Sequence, residues 1–265
     1  MLRLLAAASA LLWWGEAAAN PQTTVELPGG VALRLVWVEP GTFLMGSPPS
    51  GADRGSDEVP QHLVTITRGF WLGRDELTQG QWTAVTGAAP WSGRDWVQAD
   101  PDRPAVCVSW LDAQAFAERL SRATGVAFRL PTEAEWEYAC RAGTTGRWSF
   151  GDRAATMADF GWYSANAWSA GLRQAQPVAG KRPNPWGLYD MHGNVYEWVQ
   201  DWYGVYPAGP QTDPRGPTWG DRRVLRGGGF AGSATGARSA LRACGSPDYQ
   251  ASYLGVRLVW QGPPP

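Results

Sequence analysis

Apolar residues crowd the stretch from Val31 to Val38 and stop at Pro40, and after a Gly-Thr turn the run Phe43-Leu44-Met45-Gly46-Ser47 begins. This pattern predicts a strand pair near the start of the fold. Pro48 to Pro60 is polar and without period, as a loop is, and alternation returns from His62 to Thr67. Three helices are marked by their first turns. Thr78 with Gln81 forms a capping box, in which each side chain takes the other residue's free backbone N–H; Trp82 and Val85 follow, and Gly87 stops the run. Ser109 caps a second helix, whose Ala113, Phe116, Ala117 and Leu120 recur at helical spacing up to Gly125 while Gln114, Glu118 and Arg119 face solvent. Thr132 with Glu135 opens a third, with Trp136, Ala139 and Cys140 on one face and Gly143 as its end. Beyond Gly143 the helical period is lost, and only short strands near Val224-Leu225 and from Gly255 to Trp260 stand out. Early strands, then helices, then a loop-rich half closed by a last strand make an α+β protein with few helices and much irregular loop.

The N-terminus follows a different pattern. Arg3, an apolar run from Leu4 to Trp14 and the small residues Ala17-Ala18-Ala19 read as a secretory signal over residues 1–19. The mature protein is then expected to be secreted, periplasmic or at the cell surface. No stretch reaches the roughly 18 apolar residues of a membrane span. Residues 20–265 are read as a single domain, because no Ser/Gly linker or repeat divides them. Lys+Arg 23 against Asp+Glu 24 gives a net charge of -1, so no basic field gathers phosphates and nucleic acid is not an expected partner. Seventeen Trp and 33 Gly together call for packed, irregular loops, since Trp supplies buried bulk and Gly permits close turns. Cys107, Cys140 and Cys244 allow at most one disulfide, and no Cys/His cluster has zinc spacing.

Several segments carry a family resemblance in order. They are Phe43-Leu44-Met45-Gly46-Ser47, Glu76-Leu77-Thr78-Gln79, Arg103 to Trp110, Arg129-Leu130-Pro131-Thr132-Glu133-Ala134-Glu135-Trp136, Asn184 to Trp198, Arg226-Gly227-Gly228 and Leu254-Gly255-Val256-Arg257. The chain resembles the formylglycine-generating-enzyme, or sulfatase-modifying-factor, family, which implies its C-type-lectin-like fold over roughly residues 31–260. In the formylglycine generators the closing segment holds copper(I) on two cysteines five residues apart. Gly232 and Ala237 occupy those positions here, and neither can replace a thiolate, the soft ligand that copper(I) prefers. No copper and no catalysis are therefore expected. The ergothioneine-type oxidising branch needs a three-His iron site, and this chain has only His62 and His192.

A third branch, the variable proteins of diversity-generating retroelements, fits the closing segment better. Their diversified positions descend from asparagine codons and hold residues such as Ala, Gly, Ser, Cys, Tyr, Leu and Phe. Within the candidate variable region 226–257, the resemblance implies a ligand-binding face made of Phe230, Ala231, Gly232, Ser233, Gly236, Leu241, Ala243, Cys244, Gly245, Ser246, Tyr249, Ala251, Ser252 and Tyr253. Tyr249 and Tyr253 are its expected anchors, since Tyr offers large area with few rotatable bonds. The partner is an unknown protein or surface ligand. A formylglycine-generating-type oxidase or accessory factor for sulfatase cysteines, and a structural surface protein, are the alternatives.

Two further groups complete the reading. Asp190, Asn194, Glu197 and Asp201 are hard oxygen donors of the kind calcium takes. The resemblance implies a structural calcium at Gly193-Asn194-Val195-Tyr196-Glu197, with Gly193, Asn194, Val195 and Glu197 as its site. Arg226, Arg238, Arg242 and Arg257, with Asp248 among them, read as ion pairs that fix the closing loops rather than as an anion site. Glu135 and Glu137 fall on different helix faces and are not a hydrolytic pair. No Gly-x-Ser-x-Gly or Walker sequence occurs.

Overall fold

The computed structural model describes residues 20–51 and 53–265, so the expected signal segment lies outside the described residues. In chain order the strands and helices are β1 Gln22–Leu27, β2 Val31–Val38, β3 Gly41–Met45, β4 His62–Ile66, β5 Phe70–Gly73, α1 Gln79–Thr86 and α2 Trp110–Thr124. They continue with β6 Phe128–Arg129, α3 Glu133–Arg141, α4 Met157–Phe160, β7 Tyr196–Trp202, β8 Gln211–Thr212, β9 Arg223–Arg226, β10 Ala243–Gly245, β11 Leu254–Val256 and β12 Val259–Trp260. Among the described residues, no helix is long and apolar enough to cross a membrane.

The helices begin where their caps predict. Thr78, Ser109 and Thr132 each accept the N–H of the residue three positions on, and that residue's side chain answers to the cap's own N–H. Gly87 and Gly125 close α1 and α2 in the left-handed region. The third helix ends one residue sooner than expected, at a left-handed Ala142 ahead of Gly143.

Strand pairing departs from the expectation. β2 and β3 do not pair with each other: β2 lies between β1 and β5, whereas β3 pairs with β4 in a separate sheet. Two antiparallel neighbours sandwich β2, which is why its last four residues are all buried. The larger sheet runs β1-β2-β5-β12-β6, a second runs β10-β9-β7-β11, and a third runs β3-β4-β8. The apolar run expected as one closing strand, Gly255 to Trp260, is two: β11 joins β7 in parallel, and β12 joins β5 and β6. Arg257 sits at the crossing between sheets.

Every arginine of the closing segment that was read as an anchor is buried against a glutamate from far along the chain. Arg226 donates to Glu137 at 2.6 Å and to the carbonyls of Ser239, Ala240 and Leu241. Arg238 forks onto Glu58, Arg242 onto Glu133 and Arg257 onto Glu197. Asp248 is exposed and forms no ion pair among the described residues. Burying an ion costs several kcal/mol, which only close pairing and hydrogen bonding offset, so each pair is sound only while both members stay. Glu137→Ala is expected to lower unfolding free energy by about 3–5 kcal/mol, because it strands Arg226 and Arg141 without their carboxylate. Urea denaturation measures this, and a loss under about 1 kcal/mol, the level of an exposed pair, would contradict it.

Candidate recognition face and the sites beside it

The loop after β9 turns on Gly228. Its φ is +82°, and a Cβ there would stand 2.7 Å from Gly236 O and 2.8 Å from Ala237 Cβ, so only glycine lets the 3-10 turn Ala234–Ala237 close on it. The next residues are pinned by backbone bonds: Phe230 N to Asn194 O at 2.7 Å, Gly232 N to Gly229 O at 2.8 Å, and Ser164 N to Gly232 O at 2.7 Å. These bonds set the rim of the face.

From that rim a line of contacts runs across the surface. A Cβ on Gly229 would meet the Tyr196 ring at 3.5 Å, Tyr196 meets Tyr253 edge-on at 6.4 Å, and the Tyr253 and Tyr249 hydroxyls bond at 2.7 Å. Tyr249 in turn lies against Gly245. Ala231, Ser233, Ser246 and Tyr249 are exposed, while Gly232, Gly236, Ala251, Ser252 and Tyr253 are partly so. Tyr196 was absent from the expected face, because it sits in a segment whose other residues serve the frame; only its contact with Tyr253 reveals it, while Gly229 beneath it is buried.

Three expected members fall elsewhere or lack room, and a fourth, Leu241, turns its carbonyl inward. Phe230 is 1% exposed and packs in the core beside Trp168, its ring 6.1 Å away. Cys244 points to the opposite side of β10 from its neighbours Ala243 and Gly245, towards Arg222 at 3.9 Å, as strand alternation requires. Gly245 leaves no room for variation, since a Cβ there would come within 2.9 Å of Trp198. Leu241 is partly buried, and its carbonyl serves Arg226. At Gly232 and Gly236, by contrast, the nearest atom to an added Cβ is 3.3 Å and 3.5 Å away, and neither φ is positive.

The two positions matched to copper ligands do not suit that ion. Gly232 offers no side chain, and the Ala237 methyl is buried with Trp148 and Met157. The three thiols are free and none is placed at the gap's two positions. Cys140 is buried, its thiol pushed up to about 12 by desolvation. Beneath Ala237 lies His192, whose Nδ1 is 2.9 Å from Ala237 O and whose Nε2 accepts the Ser149 N–H at 3.1 Å. That pairing makes it a neutral ring with the proton on Nδ1, and burial lowers its pKa to about 4.

The expected oxygen donors separate into two places. Asn194 spends its amide inside the protein, donating to Glu76 at 2.6 Å and accepting from Gln176 N at 2.8 Å. Glu197 is held by Arg257 and by Trp136 Nε1 at 2.7 Å. Gly193 and Val195 contribute backbone N–H groups to Gly227 O and Glu76. Asp190 differs from these: its Oδ2 accepts from Ala179 N at 2.7 Å, but its buried Oδ1 has no partner. Burial first, then Asp75 and Glu197, raises Asp190 to about 7. Glu76 is driven well up by burial, then by Asp190 and Glu197. Asp190, Glu76 and Glu197 thus lie in the field of Arg257, which forms its ion pair with Glu197 alone of the three. No three acidic, His or Cys side chains among the described residues form a complete metal shell, so a cation at Asp190 would draw on backbone or water oxygens as well.

Asp201 lies apart, under a cavity of about 320 Å³ lined also by His62, Glu133, Tyr206 and Arg242. It accepts the Glu133 N–H at 2.8 Å at the start of α3.

The whole arrangement has known relatives. Residues 21–262 match the model of the sulfatase-modifying factor enzyme 1-like domain. The chain belongs to that family. The formylglycine-generating enzyme of Streptomyces coelicolor is 37% identical over 197 residues, covering 67% of this chain and 60% of that protein. This family member thus spans less than two thirds of that relative's length. Among solved structures, Treponema denticola variable protein 1 superposes with a TM-score of 0.80 at 29% identity, covering 91% of this chain and 99% of that one. PvdO from Pseudomonas aeruginosa superposes at 0.78 with 30% identity, covering 92% and 99%. The α+β, C-type-lectin-like fold expected for the family is the fold observed.

Asp201 generates a pH test. Burial, then Glu133 and Glu135, lift its pKa from 3.8 to about 8 against the pull of the Glu133 N–H and Arg242. The folded protein therefore keeps a proton that the unfolded chain releases above its ordinary pKa, and stability falls as pH rises from about 4 to about 8. Asp201→Asn keeps a neutral acceptor for Glu133 N–H and removes the titration. The variant is expected to gain on the parent across that window by at least about 1.4 kcal/mol, the free energy of one pKa unit. Parallel stability–pH curves would contradict the assignment.

Proposed function

We propose that this chain is an exported, non-catalytic ligand-binding protein that displays a diversified recognition surface between residues 226 and 257. One observation carries the reading: in the closing segment, side chains that hold the frame and side chains that face outward alternate. Arg226, Arg238, Arg242 and Arg257 are buried against glutamates, whereas Ala231, Ser233, Ser246 and Tyr249 between them are exposed. A rigid frame with replaceable loop residues is what a tolerant binding site requires. The likeness to the variable protein of Treponema denticola supports it. The Tyr196–Tyr253–Tyr249 line supplies rigid aromatic area at low entropic cost.

The identity to formylglycine-generating enzymes favours a second reading, oxidation of sulfatase cysteines. Gly232 and Ala237 weigh against it, because neither donates a thiolate. Two experiments separate these readings. Sequencing the surrounding locus is expected to show a reverse transcriptase and a near-copy of the codons for residues 226–257 that differs at adenines; their absence would remove the diversification reading. Incubating copper-treated protein with a Cys-x-Pro-x-Arg peptide is expected to yield no aldehyde by mass spectrometry, and turnover would establish the oxidase.

We also propose a structural calcium beside Asp190. The unpartnered, fully buried Oδ1 and the excess of carboxylate over guanidinium around it fit a divalent cation. Asp190 Oδ1, with the backbone oxygens of Gly193 and Val195 and water, would hold it beside the Glu197 carboxylate, and Asn194, whose amide and carbonyl are already bonded, has no part in that shell. Bound calcium would neutralise the cluster and stiffen the turn that carries Tyr196. Chelator is expected to lower the melting temperature of protein purified with calcium, and Asp190→Asn to abolish the difference. An unchanged midpoint in the parent would refute the site.

A further inference from the structure

Beside the Gly232 rim stands an aromatic corner that the diversified positions do not include. Trp96 is 48% exposed and meets Trp168 with ring centroids 5.2 Å apart and planes tilted by 54°. Trp168 continues inward to Phe230, and its loop is tied to the rim through Ser164, whose N–H bonds Gly232 O. We propose that Trp96 and Trp168 are a platform on which a sugar ring of a carbohydrate ligand stacks. The inference rests on the recognition reading and names the ligand class of that face.

Three features support it. The first is the cost of presenting Trp96. Its φ is +62°, a left-handed conformation that a bulky residue adopts only at a cost. Buried Trp91 and partly buried Val97, which packs on the core, anchor the loop on either side, so the fold gains its burial from them while Trp96 is turned outward. The second is the shape of the corner. Trp96 leaves about half its surface to solvent and Trp168 part of its own, with Arg173 approaching both rings from one side, and the weakly positive C–H side of a pyranose matches the negative face of an aromatic ring.

The third is the polar rim. Gln174 Nε2 donates to Gln98 Oε1 at 2.8 Å, and the Ser164 and Ser169 hydroxyls are 3.1 Å apart. Amides and hydroxyls both donate and accept, as sugar hydroxyls do, and each of these pairs is exposed to exchange its partner for a ligand. Arg173 lies 5.9 Å and 5.6 Å from the two ring centroids and adds one cation, which suits a neutral or acidic sugar. Few convergent polar groups around an apolar surface are the usual means of fixing a small ligand's orientation.

Saturation-transfer NMR and calorimetry with chitotriose, cellotriose and maltotriose test the platform. At least one of the three is expected to bind, with saturation strongest on its ring C–H protons. Trp96→Ala is expected to weaken that binding by roughly tenfold or more, as loss of an aromatic anchor does, while Trp96→Phe retains most of it. Trp96 is exposed, so an unchanged melting temperature shows that the variant is folded. Binding of none of the three sugars, equal binding by Trp96→Ala, or Trp96-dependent binding of decaproline in their place would overturn the proposal. The sequencing of the locus is independent: a template repeat without sugar binding leaves the display reading and removes this one, whereas sugar binding without a template does the reverse.

Discussion

The closing segment depends on the buried guanidinium of Arg226. Its Nη2 donates to Glu137 and to the Ser239 carbonyl, its Nη1 to the carbonyls of Ala240 and Leu241, and it is fully enclosed. The segment has little regular backbone pairing to hold it: three residues of β10 on β9 and three of β11 on β7. The guanidinium fork replaces that pairing with several directed bonds from one planar group, which Lys could not do. Arg238, Arg242 and Arg257 repeat the device against Glu58, Glu133 and Glu197. Since a buried charge without its partner is costly, the pairs constrain the chain path more sharply than apolar contacts would.

This constraint separates the frame from the surface. What the arginines hold in place is backbone, and the side chains between them carry little of that load, except Ser233, whose Oγ caps the 3-10 turn by accepting the Gly236 N–H at 3.1 Å. Gly236 has space for a side chain; Gly232 is tight, since a Cβ there would stand 3.3 Å from the Gly229 carbonyl, which must give by a few tenths of an ångström; Gly228 and Gly245 have none. The face is therefore smaller than the segment, and it borrows Tyr196 from β7 and Trp168 from the loop before it. The neutral His192 beneath Ala237 and the enclosed Cys140 belong to the same frame, for their polar atoms are engaged inward rather than towards the rim.

How far the amino-acid sequence foretold this depends on the range of the interaction. The caps of α1, α2 and α3 were legible because each is a local contact, written in Thr78–Gln81, in Ser109 and in Thr132–Glu135; the reciprocal bond of Asp112 to Ser109 came with the structure. That the four arginines pair was legible from their kind. Their partners were not, since Glu58 lies 180 residues before Arg238 and Glu133 lies 109 before Arg242. Strand partners failed for the same reason: β2 pairs with β5 rather than with the neighbouring β3, and the two-residue β6 and β12 join Arg129 to Val259, 130 positions apart. Phe230 and Cys244 were misplaced because composition marks a residue as variable without saying which way it points. Direction came only with Trp168 on one and the parity of β10 on the other. The oxygen without a partner was likewise invisible: Asp190 and Asn194 look alike as donors until Glu76 is seen to occupy the amide.

The central claim is that frame and face are separable, so that outward residues change without moving the backbone that carries them. A crystal structure of a variant with Ala231, Gly232, Ser233, Gly236, Tyr249 and Tyr253 all replaced measures this directly. The account expects the main chain of residues 226–257 to superpose on the parent within about 1 Å, the level of rigid binding surfaces, with all four Arg–Glu pairs intact. A rearranged loop, or an arginine released from its glutamate, would contradict it.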